Sequence, residues 1–450
     1  MDNRYSLRRP FGPLFFETFF MMVAGTIDTL MLSSVGDLAV GAVGTANTYL
    51  NLLIVMFNIT STGMVAVMTQ YIGADRQRTA AKTRRIGILF NAVLGTIISL
   101  LMLFGAPAFL RMMGSSERIA IPASLYMRIV GGGSLTFALV PIFAGHLRAF
   151  GHTRAPFAAA VIGNIVNLTL NAFFLYVCGF GIAGVAAATV ISRVVHLLLV
   201  IVWSSRIEQG PAEKDVVRSG VLIRQILSIG VPSALENIVY SVSITLMVSL
   251  INTMDPSGFH IAARSYAMQI TSFSHCASSA FGQANAIMAG WFVGAGRYDD
   301  CTQSTRKASS VSAVIALMTG SVIALFSPLY MVLFTADSSM IRTVQILLII
   351  NILLEVGRAA NVCYGNALKA VGDAKFPVAI GAVFMLLCGT GGTWLFGGVL
   401  GIAPAIACFI GMFLDECIRA VLMILRWRSC LWKNKAVVSK KPAFTDMDNS

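Results

Sequence analysis

Hydrophobic residues occur in long, nearly continuous runs that are separated by short polar stretches. Nearly every run has about 20 or more residues, which is the length that an α-helix needs to cross a hydrocarbon core of about 30 Å. The pattern therefore predicts an all-α integral membrane protein with twelve transmembrane helices. The predicted helices cover residues 12–34, 42–70, 86–106, 119–145, 157–178, 181–205, 224–252, 259–290, 308–335, 340–366, 377–397 and 402–426.

The chain contains two related halves. Residues 147–156 and 368–377 share a leucine, a base, an alanine, a glycine, a second base and a proline, at a separation of 221 positions. Residues 72–76 and 293–297 match at the same separation. A repeat of about half the chain is typical of duplicated helical transporters, whereas solenoid repeats are far shorter. We therefore expect two homologous six-helix bundles.

The composition supports a membrane protein and argues against several enzyme classes. The chain is 56% hydrophobic and only 12% charged, with a mean hydropathy of +0.78, so it needs lipid around it. The first hydrophobic run is long and has no small-residue cleavage site, so it predicts an uncleaved helix. The sequence has no glycine-rich phosphate loop, HExxH motif or serine nucleophile elbow, so we expect neither an ATP-driven pump nor a known hydrolase.

The distribution of basic residues predicts the orientation. If the N-terminus is cytoplasmic, 25 of the 33 Lys and Arg residues fall in cytoplasmic segments and three fall in external loops. Short cytoplasmic loops attract Lys and Arg, so both termini are predicted in the cytoplasm. The net charge of +13 then fits an anionic inner leaflet, and nucleic-acid binding is not expected.

The predicted helices and the polar segment between the two halves divide the chain into four parts. Residues 1–204 are predicted to form the N-terminal six-helix bundle and residues 205–223 a cytoplasmic linker. Residues 224–430 then form the C-terminal bundle, and residues 431–450 form a cytoplasmic tail. The tail after Trp432 is basic and then acidic, so disorder is expected there. The protein is expected to act as a monomer.

Ionisable groups inside the predicted helices are the candidates for function, because a charge in the membrane needs a cavity or a partner. Glu17 and Asp28 lie three turns apart on one stripe of the first helix. Asp28 has no base three or four residues away, so it must be protonated, bind a cation or find a partner on another helix. Glu17 lies near the inner membrane interface, where a structural role and a functional role are equal alternatives. His196 and His275 are interpreted as packing residues.

The second half carries its own charged groups. Glu236 lies in the seventh predicted helix. Glu355 and Arg358 are three residues apart, and Asp415 and Arg419 are four apart, so each pair can form within one helix. We expect Asp415 and Arg419 to be a structural pair that reaches the interface. For Glu355 and Arg358, structural and functional roles are both open.

Three carboxamides share one face of the fifth predicted helix. Asn164, Asn167 and Asn171 follow one another at spacings of three and four residues. Hydrogen bonds between helices are one explanation for them. Ion coordination is the other, because Na⁺ is a hard cation that needs several oxygens. Asp28 with Asn167 and Asn171 could supply those oxygens, whereas a proton needs only Asp28. The sequence leaves both ions open.

Four motifs, in their order and spacing, resemble one family of transporters. They are GTIDTLM at residues 25–31, QYIGA at residues 70–74, LRAFG at residues 147–151 and GIAGVAAATVIS at residues 181–192. Together with the duplication, they resemble the multidrug and toxic compound extrusion (MATE) family over about residues 10–430.

The resemblance implies two bundles around a V-shaped cleft, and efflux of organic cations driven by inward movement of Na⁺ or H⁺. The family's first-helix acid falls on Asp28, and its fifth-helix polar pair falls on Asn167 and Asn171. One branch has an aspartate where this chain has Asn171, so a relay made only of carboxylates is not implied. The acid that some bacterial members carry on the tenth helix aligns with Arg358, so their second-half site does not transfer.

The predicted function is therefore a secondary active antiporter that exports organic-cation drugs or toxic compounds in exchange for Na⁺ or H⁺. The coupling ion is expected to bind at Asp28, Asn167 and Asn171, and no cofactor is expected. A bacterial plasma membrane is the expected location, with membrane lipid around the protein. The candidates for residues that line the substrate cleft are Glu236, Glu355, Arg358 and Glu17.

Two other functions are alternatives to this one. A flippase or exporter for a lipid-linked oligosaccharide, or a related anionic lipid, would need Arg128, Arg193 and Arg264 to face the cleft. A membrane-embedded enzyme that acts on lipid would need clustered His, Asp or Glu with metal-ligand spacing on the cytoplasmic loops, and the loops have no such spacing.

Overall fold

The computed structural model describes residues 8–112, 117–207, 216–332 and 335–438. Within these ranges the chain is almost entirely helical and has no β-strand. Helices α1 to α7 are Arg8–Ser33, Asp37–Gly73, Gln77–Met112, Glu117–Gly132, Ser134–Ala149, Arg154–Val177 and Gly181–Ser205. Helices α8 to α13 are Ser219–Met254, Phe259–Gly294, Tyr298–Met331, Ser338–Ala370, Lys375–Val399 and Pro404–Arg428.

With α4 and α5 counted as one, these helices form twelve segments in the part of the chain that the structure describes, of which ten are recognisable as spans. Nine helices are long and apolar enough to cross a membrane, and α4 with α5 forms one further span that bends by 44°. The remaining two are α9, which is rich in serine and carboxamide residues, and α13, which carries three charged residues near its middle. The prediction of an all-α membrane protein with twelve spans is confirmed. Helix α10 begins at Tyr298 and not near residue 308, and the acids in its first turn favour that start.

Each half of the protein packs around its own core. We call α1–α7 the first half and α8–α13 the second half. A core of the first half joins α2, α3, α4 and α7 around Phe57, Leu110 and Met127. A core of the second half joins α9, α10, α11 and α13 around Leu347 and Phe409. Spans of alternating direction bring Arg8 and Val438, the first and last described residues, to the same end of the molecule.

The two halves meet at this end, which we call the closed end. Helices α2 and α8 approach backbone to backbone, because glycines lie at their crossing. A Cβ on Gly63 would lie 2.1 Å from the backbone oxygen of Ile226, and a Cβ on Gly230 would lie 2.0 Å from that of Ile59. Only glycine tolerates such distances. Toward the opposite end, which we call the open end, α1 and α9 diverge around a cleft.

The residues after α13 fold back onto the closed end. A short 3₁₀ turn, Leu431–Lys435, follows a left-handed residue at Cys430. Trp432 is fully buried and stacks on Trp427 with ring centroids 4.4 Å apart. The prediction of disorder after Trp432 is therefore wrong as far as Val438, because the buried indole anchors this segment. Residues 439–450 lie outside the described residues. We call residues 429–438 the strap.

Candidate functional site

Asp28 and the carboxamides of α6 form a polar site inside the first half. The side-chain nitrogen of Asn171 donates to Asp28 Oδ1 over 3.0 Å. In the orientation that satisfies both groups, the Asn167 amide donates to the two Asp28 oxygens over 3.0 and 3.1 Å. Asn167 and Asn171 are buried, and Asp28 is half-buried. We call these three residues the carboxamide site. The partners of Asp28 come from another helix, which is one of the three possibilities that the sequence left open.

The local structure of α6 explains how two amides reach one carboxylate. Asn167 and Asn171 are four residues apart, so they lie one above the other on the face that packs against α1. Directly after them, a π-helical turn at Phe173–Val177 ends the helix. Asn164 shares this face and is half-buried, and among the described residues its side-chain nitrogen has no hydrogen-bond partner. The oxygen of Asn171 is likewise buried without a partner in the described part of the chain.

A base and two hydroxyl groups surround the carboxamide site. Arg193 on α7 interacts electrostatically with Asp28 and with Tyr126 on α4. The hydroxyl of Tyr126 is within hydrogen-bonding reach of Thr189 on α7. The Arg193 guanidinium lies over the ring of Phe137 at 5.2 Å, so an aromatic face also stabilises its charge. Arg193 was missed as a member of this site, although its lack of a local acid was a signal that it needs a partner on another helix.

Glu17 lies on the same helix as Asp28 but takes a different partner. It is buried near the closed end, where it forms an ion pair with Arg148 at the end of α5. That pair links the first helix to one of the two loops that repeat in the sequence. Glu17 therefore lies apart from the carboxamide site and has its own counter-charge.

The second half contains a buried network of five charged residues. Arg358 contacts Glu355 at 2.5 Å and Glu416 at 2.9 Å. Arg419 contacts Asp415 at 2.6 Å and Glu416 at 3.2 Å. All five side chains are at most 9% exposed, and we call them the charge network. Two guanidinium groups balance two of three carboxylates, so the formal charge of the network is about −1 when all five are ionised.

Two expectations for this region need correction. Asp415 and Arg419 form the predicted pair, but the prediction that they reach the interface is wrong, because they lie buried inside the second half. The pair of Glu355 and Arg358 is present but is not isolated. Both pairs join through Glu416, to which the amide of Asn361 also donates over 2.8 Å. The central position of Glu416 was missed, because its partners on α11 lie more than 50 residues away.

Beside the charge network lies a polar chamber of about 210 Å³. Glu236 on α8 and Lys369 on α11 line it, and their charged atoms are 2.6 Å apart. His275 on α9 also lines the chamber and is exposed, whereas His196 is buried and packs against Gly163 of α6. Glu236 is therefore neutralised by a lysine from another helix. The packing interpretation fits the surroundings of His196 better than those of His275.

The cleft between the two halves has walls of a different character. It has a volume of about 600 Å³ and lies between α1 and α9 toward the open end. Contact between Met22 and Cys276, whose sulfur atoms are 2.9 Å apart, marks its floor. Its described lining carries no ionisable side chain and consists of Met22, Val23, Gly25, Thr26, Ile27, Thr29, Leu30, Gln269, Ser272 and Phe273. Asp28 points away from the cleft, so α1 has the cleft on one face and the carboxamide site on the other.

These features define a class of protein. Two six-helix halves meet at one end and diverge around a cleft, and buried polar sites lie inside each half at membrane depth. This arrangement is that of a multi-pass membrane transporter.

Comparison with known proteins identifies the family. The MatE family profile matches twice, at residues 13–173 and 232–395. An uncharacterized transporter, YisQ of Bacillus subtilis (strain 168), is 33% identical over 97% of this chain and 96% of its own. The chain therefore belongs to the MatE family of multidrug efflux transporters and is not an enzyme. The double match agrees with the repeat in the sequence.

Other similar proteins agree with this assignment. A probable multidrug resistance protein NorM of Thermotoga maritima is 23% identical over 95% of this chain and 93% of its own. A multidrug resistance MATE transporter of the MOP superfamily, solved in an outward-facing conformation, has a TM-score of 0.85 at 20% identity and covers 94% of both chains. A MOP superfamily transporter from Pyrococcus furiosus, described as having a binding pocket of reversed polarity, has a TM-score of 0.84, also at 20% identity over 94% of both chains. At this identity the two structures show a shared fold.

Proposed function

We propose that this protein is a secondary antiporter that exports lipophilic organic cations in exchange for protons across a bacterial plasma membrane. The observation that carries the proposal is the carboxamide site, where an acid at membrane depth has amide partners in place of a fixed salt bridge. A carboxylate held in this way can gain and lose a proton during transport. Helix α1 then connects the ion to the substrate, because it borders both the site and the cleft.

The geometry favours a proton over Na⁺ as the coupling ion. With the Asn167 amide in the orientation that satisfies its hydrogen bonds, both amides present N–H groups to Asp28, and these hydrogen bonds stabilise the ionised carboxylate. To bind Na⁺, both amides would have to turn so that their oxygens face the ion. A proton needs only one amide to turn and accept a hydrogen bond from the protonated acid. The unpartnered oxygen of Asn171 is suited to this role.

The cleft supports a substrate that is largely apolar. Methionine, aromatic and aliphatic groups provide most of its described walls, with a few hydroxyl and amide groups. Such a surface suits an amphipathic molecule whose charge is single and delocalised. The rival function, transport of an anionic lipid-linked sugar, is disfavoured because Arg193 lies inside the first half and Arg264 is buried against Cys408 in the second. Arg128 is exposed on α4 but does not belong to the described lining of the cleft. Each chain has a complete cleft, so a monomer is sufficient for transport.

Transport assays should separate these two substrate classes. We expect purified protein in liposomes to move a lipophilic cation when a pH gradient is imposed, and to move no phosphorylated lipid-linked sugar. An imposed Na⁺ gradient without a pH gradient should produce no transport of the lipophilic cation. Both substrates are to be measured in parallel, with protein-free liposomes as the control. Movement of the sugar carrier without movement of the cation would favour the flippase.

The closed end is proposed to be cytoplasmic, since the loops at that end carry most of the bases. Reporter fusions test this orientation. We expect fusions after residues 207 and 438 to activate a reporter that works only in the cytoplasm. Fusions after residues 36 and 179 should instead activate one that works only in the periplasm. Periplasmic activity at residue 207 would contradict the proposed orientation.

A further inference from the structure

Two hydrogen bonds cross between the halves at the closed end, and they are equivalent under the sequence repeat. The amide nitrogen of Gln70, on α2, donates to the backbone oxygen of Ala370 at the end of α11 over 2.7 Å. The indole nitrogen of Trp291, on α9, donates to the backbone oxygen of Ala149 at the end of α5 over 2.8 Å. Positions 70 and 291 are 221 apart, and so are positions 149 and 370. Each half therefore supplies one donor and one acceptor.

The backbone around these bonds is equivalent as well. A Cβ on Gly73 would lie 2.2 Å from the backbone oxygen of Trp291, and a Cβ on Gly294 would lie 1.9 Å from that of Gln70. Helices α2 and α9 are thus in backbone contact at the residues that carry the two donors. The repeated stretches near residues 72–76 and 147–156 in the first half dock onto those near 293–297 and 368–377 in the second. This reciprocal docking is a physical reason for the repeat to include these loops.

The strap adds a third bond, which uses the other polar atom of the Gln70 amide. The backbone nitrogen of Val437 donates to the side-chain oxygen of Gln70 over 2.8 Å. The backbone oxygen of Val437 accepts from Gln225 on α8 over 3.4 Å, and Gln225 in turn accepts from the hydroxyl of Tyr71 over 3.1 Å. Gln70 is fully buried, and two segments of the second half use both polar atoms of its amide.

We propose that Gln70, Trp291 and the strap form a lock that holds the closed end shut during the transport cycle. The halves cannot separate at this end unless both crossing bonds and the bond to the strap break together. Each broken bond leaves a buried polar group that must find water, so each one favours the closed state. Because Gln70 is hydrogen-bonded to the strap, the end of the chain controls its side of the lock, and transport requires its release.

The lock can be tested by measuring the distance between the halves with spin labels. Labels at Arg78→Cys and Thr302→Cys lie on exposed positions of the two halves at the closed end, and Cys430→Ser removes the exposed native thiol. Trp291→Phe removes the donor but keeps an aromatic ring, and Gln70→Met removes both polar atoms at similar size. Truncation after residue 430 removes most of the strap. Truncation after Val438 is the matched control and leaves the strap whole.

We expect Trp291→Phe and the truncation after residue 430 each to raise the ratio of separated to closed molecules about fivefold, which corresponds to one crossing hydrogen bond. Gln70→Met removes two of these bonds, and so does Trp291→Phe combined with the truncation, so each should raise the ratio about 25-fold if the bonds act independently. The control truncation should match the wild type. Unchanged distances in Trp291→Phe and in the truncation after residue 430 would overturn the proposal, as would an equal effect of the control truncation. If Gln70→Met does not fold, these two variants still decide the question.

Discussion

Asp28→Asn is expected to abolish drug efflux while folded protein remains in the membrane. Asparagine keeps the size of the side chain and can still accept a hydrogen bond from Asn171, so the packing of α1 on α6 should persist. It cannot be ionised or take up a proton, so α1 no longer responds to the pH gradient. Resistance of cells that express the variant should fall to the background of the host. Membrane content is measured alongside, by immunoblot.

The matched control for this prediction is Asp337→Asn. Asp337 is an exposed acid that caps α11 by accepting from the backbone nitrogen of Ser339, and asparagine caps a helix equally well. The control should therefore retain wild-type resistance. If Asp28→Asn is present in the membrane and also confers wild-type resistance, Asp28 is structural. The coupling site would then lie elsewhere, and Glu236 would be the first alternative.

Glu416→Ala is expected to be among the most destabilising single substitutions in the second half. Glu416 accepts hydrogen bonds from Arg358 and Asn361 and contacts Arg419, so its loss leaves several buried donors without an acceptor. A hydrogen bond to a charged group is worth about 1.5–3 kcal/mol, so the loss of several is a large effect. The variant should show a markedly lower melting temperature in detergent. Thermal unfolding followed by tryptophan fluorescence measures the change.

A comparison within the network distinguishes lost charge balance from lost packing. Arg419→Met alone should destabilise the protein, because three buried carboxylates then share the single guanidinium of Arg358. The double variant Asp415→Leu with Arg419→Met should be more stable than Arg419→Met, because loss of Asp415 returns the formal charge of the network to about −1. A double variant that is less stable than the single one would contradict this account of the network.

The sequence predicted the helices well, because crossing a membrane demands a length and an apolarity that can be read directly. The sequence also indicated Asp28, Asn167 and Asn171 as one candidate group, and these three side chains are in contact in the structure. The sequence pattern could not predict contacts between helices that are far apart in the chain. Helical spacing pairs Glu355 with Arg358, but no spacing shows that Glu416 lies between Arg358 and Arg419.

The ordered structure of the strap is a second feature that the sequence pattern did not predict. A short segment that is rich in lysine resembles a disordered tail when only its composition is considered. Its order comes from one buried indole and from hydrogen bonds of its backbone to Gln70 and Gln225, which lie on other helices. The repeat showed that the loops of the two halves are equivalent but not that they dock onto each other, because equivalence between halves does not itself indicate contact.

The two halves share an architecture but differ in the chemistry of their interiors. In the first half Asp28 is hydrogen-bonded to two neutral amides with Arg193 nearby, and in the second half three acids face two arginines. An acid whose hydrogen bonds come from neutral amides can change its charge at lower cost than an acid that is held in a network of ion pairs. This difference is the reason to assign ion coupling to the first half and a structural role to the charge network.

Proton movement that depends on substrate tests the central claim most directly. The protein is reconstituted in liposomes that contain a pH-sensitive dye, and a lipophilic cation is added to one side without Na⁺. The proposed mechanism predicts that the cation drives protons in the opposite direction, and that Asp28→Asn abolishes this flux while Asp337→Asn leaves it intact. Cation transport that requires Na⁺ and moves no protons, or a proton flux that persists in Asp28→Asn, would contradict it.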